Sequence, residues 1–296
     1  MIAHFEQGLR SSIDRVSRSL TAAEQTEDSA RLLRTLRETS ATGIRQAPAA
    51  AQRALAKTRN PDIGIGQLVQ VVEEDPTLGQ ALLSYANSAY YSTGGTVLSL
   101  RQAGQRVGAT GVHNVVLSVM LDGMLCRPGA GYQGMVDQVR AHLVRTASIA
   151  RMLARSFGVA PDDGFTLALL HDAGKLIVFD TIGTLRHELR RDVAIPPAVI
   201  SRILMHVHEP LGGLAALRWG LGPEVALPIA AHHRSPMPED GNVMSELLFV
   251  AERVDHALNG VIPMDTATWW SEGKIRGTPE RADEIIAGYA ATEMAA

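Results

Sequence analysis

Residues 161–179 read PDDGFTLALLHDAGKLIVF, and this stretch decides how the chain is read. Pro161 followed by Asp162 and Asp163 is a helix-opening signal, with proline in the first turn and acidic side chains at the positive end of the helix dipole. The run that follows is apolar on every face, which marks a buried helix. Into it are set His171 and Asp172, side by side and next to Leu169 and Leu170. Polar groups in such surroundings are costly without partners, and a bound cation is one partner that suits both. Imidazole nitrogen with carboxylate oxygen fits Fe, Mn or Zn better than Ca. Lys175 is three residues from Asp172 and four from His171, so a continuous helix places all three on one face. There Lys175 can neutralise Asp172 or contact a phosphate.

Outward from this stretch the signals stay helical. Ile2, Phe5, Leu9, Ile13, Val16 and Leu20 form one apolar stripe. It reads either as half of a hairpin packed on the main body or as a dimer or partner helix. Asp75-Pro76 caps and opens the run TLGQALLSYANSAYY. Asn87-Ser88 near its end read as capping residues. Ser99 caps LRQAGQRVG, and Thr110 caps a helix through Val115, Val116 and Val119. A long periodic segment spans Met135 to Phe157. Further helices are expected over Ile200–His208, Leu211–Trp219, Val225–His233 and Ser245–Leu258, with a last one after Pro279 through Ile285, Ile286 and Tyr289. The stretch from Gly260 to Gly277, with Trp269-Trp270, reads as irregular. No segment alternates as a strand does, so the fold class is all-α. Arg127-Pro128-Gly129-Ala130-Gly131 is the best internal boundary.

Composition narrows the function. The chain has 296 residues, a net charge of −3, one cysteine and 4% aromatics. A near-neutral balance and few aromatics argue against nucleic acid. Cys126 alone allows no internal disulfide and no cysteine-based zinc site. No 18-residue apolar run and no export signal are seen, so no membrane association is expected and the expected compartment is the cytoplasm.

Ten histidines remain to be placed. His142 lies 29 residues before His171, on the preceding helix. His208 stands at the head of an apolar helix, and His232-His233 at the end of another. Glu252 and Asp255 are three apart on one helix. Facing helices of a bundle can gather such donors into a metal cluster. A hydrogen-bonded network without metal is the competing reading.

The stretch VVEEDPTLGQALLSYANSAYYSTGGTVLSLRQAGQRVGATGVHNVVLSVML resembles the HDOD domain, the HD-related output domain of bacterial signalling proteins. Asp75-Pro76, Leu82-Leu83, Asn87-Ser88, Ser99-Leu100, Ala103 and Gly108 carry the likeness. LLHDAGKL at 169–176, RWGLGPEV at 218–225 and HHRSP at 232–236 follow in the family's order. The resemblance runs from about Ile44 to Gly260. It implies an all-α, multi-helix HD-like bundle with an additional N-terminal helical lobe. The expected layout is an N-terminal amphipathic helical segment (1–43), an HDOD domain (44–260, with lobes at 44–127 and 132–260) and a C-terminal extension (261–296).

The resemblance further implies a regulatory role in signalling, through protein partners and generally without catalysis, and the N-terminal stripe adds a homodimer through the N-terminal helices as one arrangement. Against the H…HD…D pattern of HD proteins, His142, His171 and Asp172 match the first ligands. His208, His232 and His233 match the remaining histidines, and Lys175 the lysine of the HDxGK motif. The implied metal set is His142, His171, Asp172, His208, His232, His233 and Glu252, holding a divalent Fe, Mn or Zn.

Two departures weigh against turnover. Glu252 stands where the pattern has aspartate, with Asp255 one turn on as a substitute, and no GYP triplet follows His232-His233. The alternative reading is a metal-dependent phosphohydrolase acting on a nucleotide or phosphodiester, with Lys175 and Asp172 in catalytic roles. His206, about 200° round a helix from His208, falls outside the set. His4, His113, His187 and His256 match no motif.

Overall fold

The apolar stripe of the first segment folds as a helix and is buried by the same chain. In this computed structural model, which describes residues 1–42, 44, 57, 63–88, 91, 95–123, 129–233, 242–273, 275, 283, 286 and 287, every regular element among the described residues is helical. In chain order these are α1 (Ile2–Ser19), α2 (Glu27–Thr42), α3 (Ile65–Glu73), α4 (Pro76–Ala86), α5 (Leu100–Gly123), α6 (Ala130–Leu153), a 3-10 turn (Ala154–Phe157), α7 (Pro161–Leu170), α8 (Ala173–Leu189), α9 (Pro197–Arg218), α10 (Pro223–Ile229), α11 (Val243–Leu258) and α12 (Thr266–Gly273). None of the described helices is long and apolar enough to cross a membrane.

The chain divides into two compact units. One is Arg45–Leu125, and the other joins Met1–Ile44 to Cys126–Ala296. In the first, α3 and α4 pack on α5. The Asp75 side chain accepts from the Thr77 and Leu78 amides, so the Asp-Pro start works as a cap. Asn87 donates to the Leu83 and Val97 carbonyls and accepts from the Val97 amide, which ties the end of α4 to the incoming segment. The break read between Gly108 and Thr110 is present as a kink. Gly108 has φ +71°, a conformation that glycine adopts without the strain a side chain would bring.

In the second unit α1 lies along α9, and α2 turns back against α1 and α8. Phe5, Leu9, Ile13 and Val16 are buried, each stabilising the hairpin by roughly 1.5–3 kcal/mol. Polar ties hold its edges. Arg218 pairs with Glu6 at 2.8 Å, and Arg202 donates to the Ser19 carbonyl at 2.7 Å. Asp28, buried at the start of α2, accepts from both terminal nitrogens of Arg191 and from the Ala194 amide. The other four layers of the unit, α6 with α7, α8 with α9, α9 with α10 and α11 with α6, surround the His171–Asp172 turn.

Several elements differ from expectation. The helix read through 161–179 is two helices, with His171 and Asp172 in the turn between them. The reason lies in Gly174. A methyl there would overlap the His208 carbonyl and crowd the Gly212 amide, so α8 starts where its backbone can touch that of α9. Conversely, α9 runs unbroken through Pro210, where two helices were expected, and His208 lies in its interior. Burial along 199–216 outweighs the lost amide hydrogen bond at proline. The helix expected to reach His233 stops at Ile229, leaving His232 and His233 in the following turn. Trp269 and Trp270, expected on irregular chain, lie on α12 and are buried. Cys126, residues 127 and 128 of the expected boundary, and most of the helix expected after Pro279 lie outside the described residues.

Two outcomes follow from this packing. Gly174→Ala should lower stability by about 2–3 kcal/mol, because the overlap is with backbone that cannot rotate away; an unchanged denaturant midpoint would contradict the close crossing. For Asp28, the Arg191 hydrogen bond holds the carboxyl below its ordinary range against the opposing effect of burial, with the Ala194 amide helping. A depressed carboxyl contributes stability that is complete above the unfolded value of about 3.9 and is lost as the pH falls through the folded value. Asp28→Ala should therefore cost about 1–3 kcal/mol at pH 7, and melts of parent and variant should converge below about pH 3.9.

Candidate metal centre

Five separate pieces of chain bring histidines and carboxylates to one place. The α7–α8 turn supplies His171 and Asp172, and the Gly174 crossing sets them against His208 of α9. The turn after α10 supplies His232 and His233. Facing side chains of α6 and α11 add His142, Glu252, Asp255 and His256. His171 and Asp172 are fully buried, and His208 and His232 are each 1% exposed.

Three of the imidazoles are oriented by their second nitrogens, whereas His208 Nδ1 is buried without a hydrogen bond. His171 Nδ1 lies 2.7 Å from the Ala168 carbonyl, and His232 Nδ1 lies 2.7 Å from the Ile229 carbonyl. A carbonyl only accepts, so the proton sits on Nδ1 in both rings and the Nε2 lone pairs point inward. His142 Nδ1 is fixed in the same way, 2.7 Å from Asp255 Oδ2. The inward nitrogens then meet. His142 Nε2 is 3.1 Å from His171 Nε2, and His208 Nε2 is 3.3 Å from His232 Nε2.

Between these pairs stands the Asp172 carboxylate. Its Oδ1 is 3.4 Å from His208 Nε2 and 3.6 Å from His232 Nε2, yet is buried without a hydrogen bond. Its Oδ2 is 3.6 Å from His171 Nε2 and 2.5 Å from Lys175 Nζ. Of the two roles open to Lys175, the geometry places it in the first, neutralising Asp172.

These spacings suit a cation. Two donors each about 2.1 Å from one ion, at angles between square and tetrahedral, are about 3.0–3.4 Å apart. Each of four groupings has its donor atoms within 4.8 Å of one another: Asp172 with His208, His232 and His233; His142 with Glu252 and His256; His142 with His171 and Asp172; and His171 with His232 and Glu252. The seven residues expected as ligands therefore converge, all within one compact unit. His4, His113, His187 and His206 join no grouping among the described residues.

Charge in the cluster is tightly arranged. Burial pushes the His171 and His208 imidazoles well below the ordinary histidine range, although Asp172 pulls the other way. Burial also disfavours the Asp172 anion, but the neighbouring His171, His232, Lys175 and His208 together hold its carboxyl well below the carboxylate range. For His232 burial is outweighed by Asp172, Glu252 and Glu209, and the ring is raised to about 9. His233 falls to about 3, through burial and the neighbouring His232 charge. Burial raises Glu252. A cation bound at the centre would compete with the His232 proton.

Three participants carried no motif signal. His256 stacks on His142, with ring centroids 5.3 Å apart and planes at 12°. Its four-residue offset from Glu252 on one helix face was the available clue. Arg145 donates from Nε to Asp255 Oδ1 at 2.6 Å and from Nη2 to Oδ2 at 3.2 Å. Glu209 accepts from the His233 amide at 3.0 Å. Asp255 is not a substitute ligand, since its oxygens are taken by Arg145 and His142. Burial would raise its carboxyl, but those two partners hold it below the ordinary range, and as an anion it fixes the His142 tautomer.

The HDOD domain matches residues 44–235. An uncharacterised protein of Treponema pallidum is 28% identical over 226 residues, 72% of this chain and 42% of that protein. A ribonuclease Y of Opitutus terrae is 29% identical over 53% of this chain and 25% of its own length. The chain thus spans under half the length of these curated relatives. Among solved structures, a Shewanella amazonensis protein provisionally named a metal-dependent phosphohydrolase superposes with TM-score 0.64 at 18% identity, over 83% of this chain and 88% of its own. An HDOD domain protein of unknown function from Geobacter sulfurreducens gives 0.63 at 19%, over 90% and 95%. These likenesses concern the fold.

Removing the partner that orients His142 should weaken metal binding without unfolding the chain. Asp255→Ala is expected to lose about 10–100-fold in affinity for Zn or Mn, the usual cost of deleting a carboxylate behind a ligating histidine. Calorimetric titration of the apoprotein checks it, and an unchanged affinity would remove Asp255 from the account.

Proposed function

The chain belongs to the HDOD domain family, and from that premise we propose that it is a regulatory module of bacterial signal transduction that works in the cytoplasm through protein partners and keeps a metal centre. The observation that carries the metal centre is the approach of His142 and His171 Nε2 to 3.1 Å, with both Nδ1 atoms engaged elsewhere, beside an Asp172 carboxylate whose Oδ1 is buried without a hydrogen bond. His142, His171, Asp172, His208, His232, His233 and Glu252 are the donors available to a divalent Fe, Mn or Zn. With only nitrogen and oxygen present, these borderline ions fit better than thiophilic ones.

On this reading the centre is structural and regulatory. It ties α6, the α7–α8 turn, α9, the α10 turn and α11 to one point, so occupancy sets the geometry of the whole unit. Partners are signalling proteins. The apolar stripe of α1 is already covered by α9, so a homodimer through the N-terminal helices would use their other faces.

A second reading, metal-dependent phosphohydrolase chemistry on a nucleotide or phosphodiester, is favoured by one observation. The His233 side chain is 41% exposed and Lys175 is partly exposed, both beside Asp172. When bound, a cation there would supply an acidified water and an electrophile for a phosphoryl oxygen. His233 would then offer a hydrogen bond to substrate at the open edge, with Lys175 keeping Asp172 neutralised.

Metal analysis of protein purified without chelator, paired with hydrolysis of bis(p-nitrophenyl) phosphate, separates the readings. At least one equivalent of metal is expected, falling at least tenfold in His171→Ala and Asp172→Asn, with no hydrolysis above the metal-free control. Hydrolysis that vanishes in both variants would establish the enzyme instead. Metal-free protein that also fails to take up Fe, Mn or Zn would overturn the metal centre.

A further inference from the structure

The α1–α2 hairpin precedes residues 44–235, which the HDOD domain matches, yet it grips the helix that carries His208. Phe5 makes the closest contact. A methyl group at Gly213 of α9 would stand 2.5 Å from Phe5 Cε1, 2.7 Å from Ala230 Cβ and 2.9 Å from the Ala226 carbonyl oxygen. No side chain fits there, and α1, α9 and the end of α10 meet at that point. The neighbouring Gly212 points about 100° round the helix. A methyl there would stand 3.0 Å from Ile229 Cγ2, 3.4 Å from the Gly174 amide nitrogen and 3.6 Å from the His171 carbonyl oxygen. Helix α9 is thus pressed between Phe5 and the His171–Gly174 turn. His208 lies one turn before Gly212 on the same face. Ile229 of α10 supplies the carbonyl that fixes the His232 ring. Polar ties fasten the hairpin on both sides of His208. Arg202 donates to the Ser19 carbonyl and pairs with Glu24, and Arg218 pairs with Glu6.

We propose that the α1–α2 hairpin is a clamp on the metal centre: its docking through Phe5 sets the cation affinity of the site, and lifting it lowers that affinity. Packed helices shift between discrete arrangements and do not deform smoothly. With Phe5 withdrawn, a ring-sized void opens beside Gly213, and α9 and α10 close into it. His208 and His232 then move relative to Asp172. A centre whose donors must all stand about 2.0–2.2 Å from one ion tolerates little of that movement. Linkage is reciprocal, so an occupied centre holds the hairpin more tightly by the same factor. The inference rests on the metal-centre reading and adds to it how occupancy is regulated, through a segment outside the matched domain.

The test reads both directions of the coupling, independent of any activity. Full-length apoprotein is titrated with Zn2+ by calorimetry, and hydrogen exchange of the α1 amides is followed with and without Zn2+. Circular dichroism confirms that each variant is folded. The parent's α1 amides should exchange about tenfold more slowly with Zn2+ bound, and Phe5→Ala should bind Zn2+ about tenfold more weakly, within the usual range of coupling between linked sites. Phe5→Leu, which keeps the stripe apolar, should move the affinity in the same direction by less, and it replaces Phe5→Ala if that variant does not fold. Leu68→Ala, which truncates a fully buried side chain of α3, should leave the affinity within about twofold of the parent. Unchanged affinity in both Phe5 variants, or α1 exchange indifferent to Zn2+, overturns the clamp and leaves the metal-centre reading standing. An equal loss in Leu68→Ala also overturns the clamp, since general destabilisation then accounts for the effect. No Zn2+ uptake by the parent overturns both.

Discussion

Two pairs of imidazole nitrogens facing each other across a buried carboxylate set the terms for the rest of the second unit. The His142 and His171 Nε2 lone pairs repel at 3.1 Å unless something positive lies nearby, and His208 and His232 Nε2 stand 3.3 Å apart. The orientation is not incidental, because backbone carbonyls of Ala168 and Ile229 hold two of the rings and Asp255 a third. Lys175 answers only one oxygen of Asp172. Five chain segments thus meet in a cluster whose Asp172 Oδ1 and His208 Nδ1 are buried without hydrogen bonds. A proton on His232 answers the Asp172 charge in part, and a divalent cation answers all the donors at once.

The helix packing is arranged to make that cluster. The α8–α9 crossing at Gly174 is close enough that the backbones touch, and it is this contact that brings His208 against Asp172. On the opposite side, α11 packs on α6, and the Arg145–Asp255–His142 chain of hydrogen bonds runs across that seam. Burial of α1 against α9 steadies the helix that carries His208. A change in the geometry of the cluster must therefore be taken up by α6, α9 and α11.

Much of this was legible in the sequence, for identifiable reasons. The α1 stripe, the Asp75 cap and the Gly108 break are local signals, decided within a few residues. That His142, His171, Asp172, His208, His232, His233 and Glu252 belong together was legible through family resemblance, and the structure clusters them. What local pattern could not show is what distant chain imposes. Periodicity ran straight through His171-Asp172, where the structure has a turn just before the close crossing of α9 at Gly174. Pro210 and the preceding Glu209 read as a break, yet burial on both sides carries α9 through. His256 matched no motif, since its role depends on His142, more than a hundred residues away. Asp255 was legible as a carboxylate near the site, but Arg145 makes it an orienting group and not a ligand.

Crystals of the intact chain, grown with Zn2+ and measured on both sides of the zinc absorption edge, test the central claim most directly. The account predicts anomalous density within about 2.0–2.2 Å of the Asp172 carboxylate and of at least two of the inward Nε2 atoms. Absence of anomalous density there, with His208 and His232 Nε2 joined by a shared proton and Asp172 closing onto His232, would show that the cluster is a hydrogen-bonded network and contradict it.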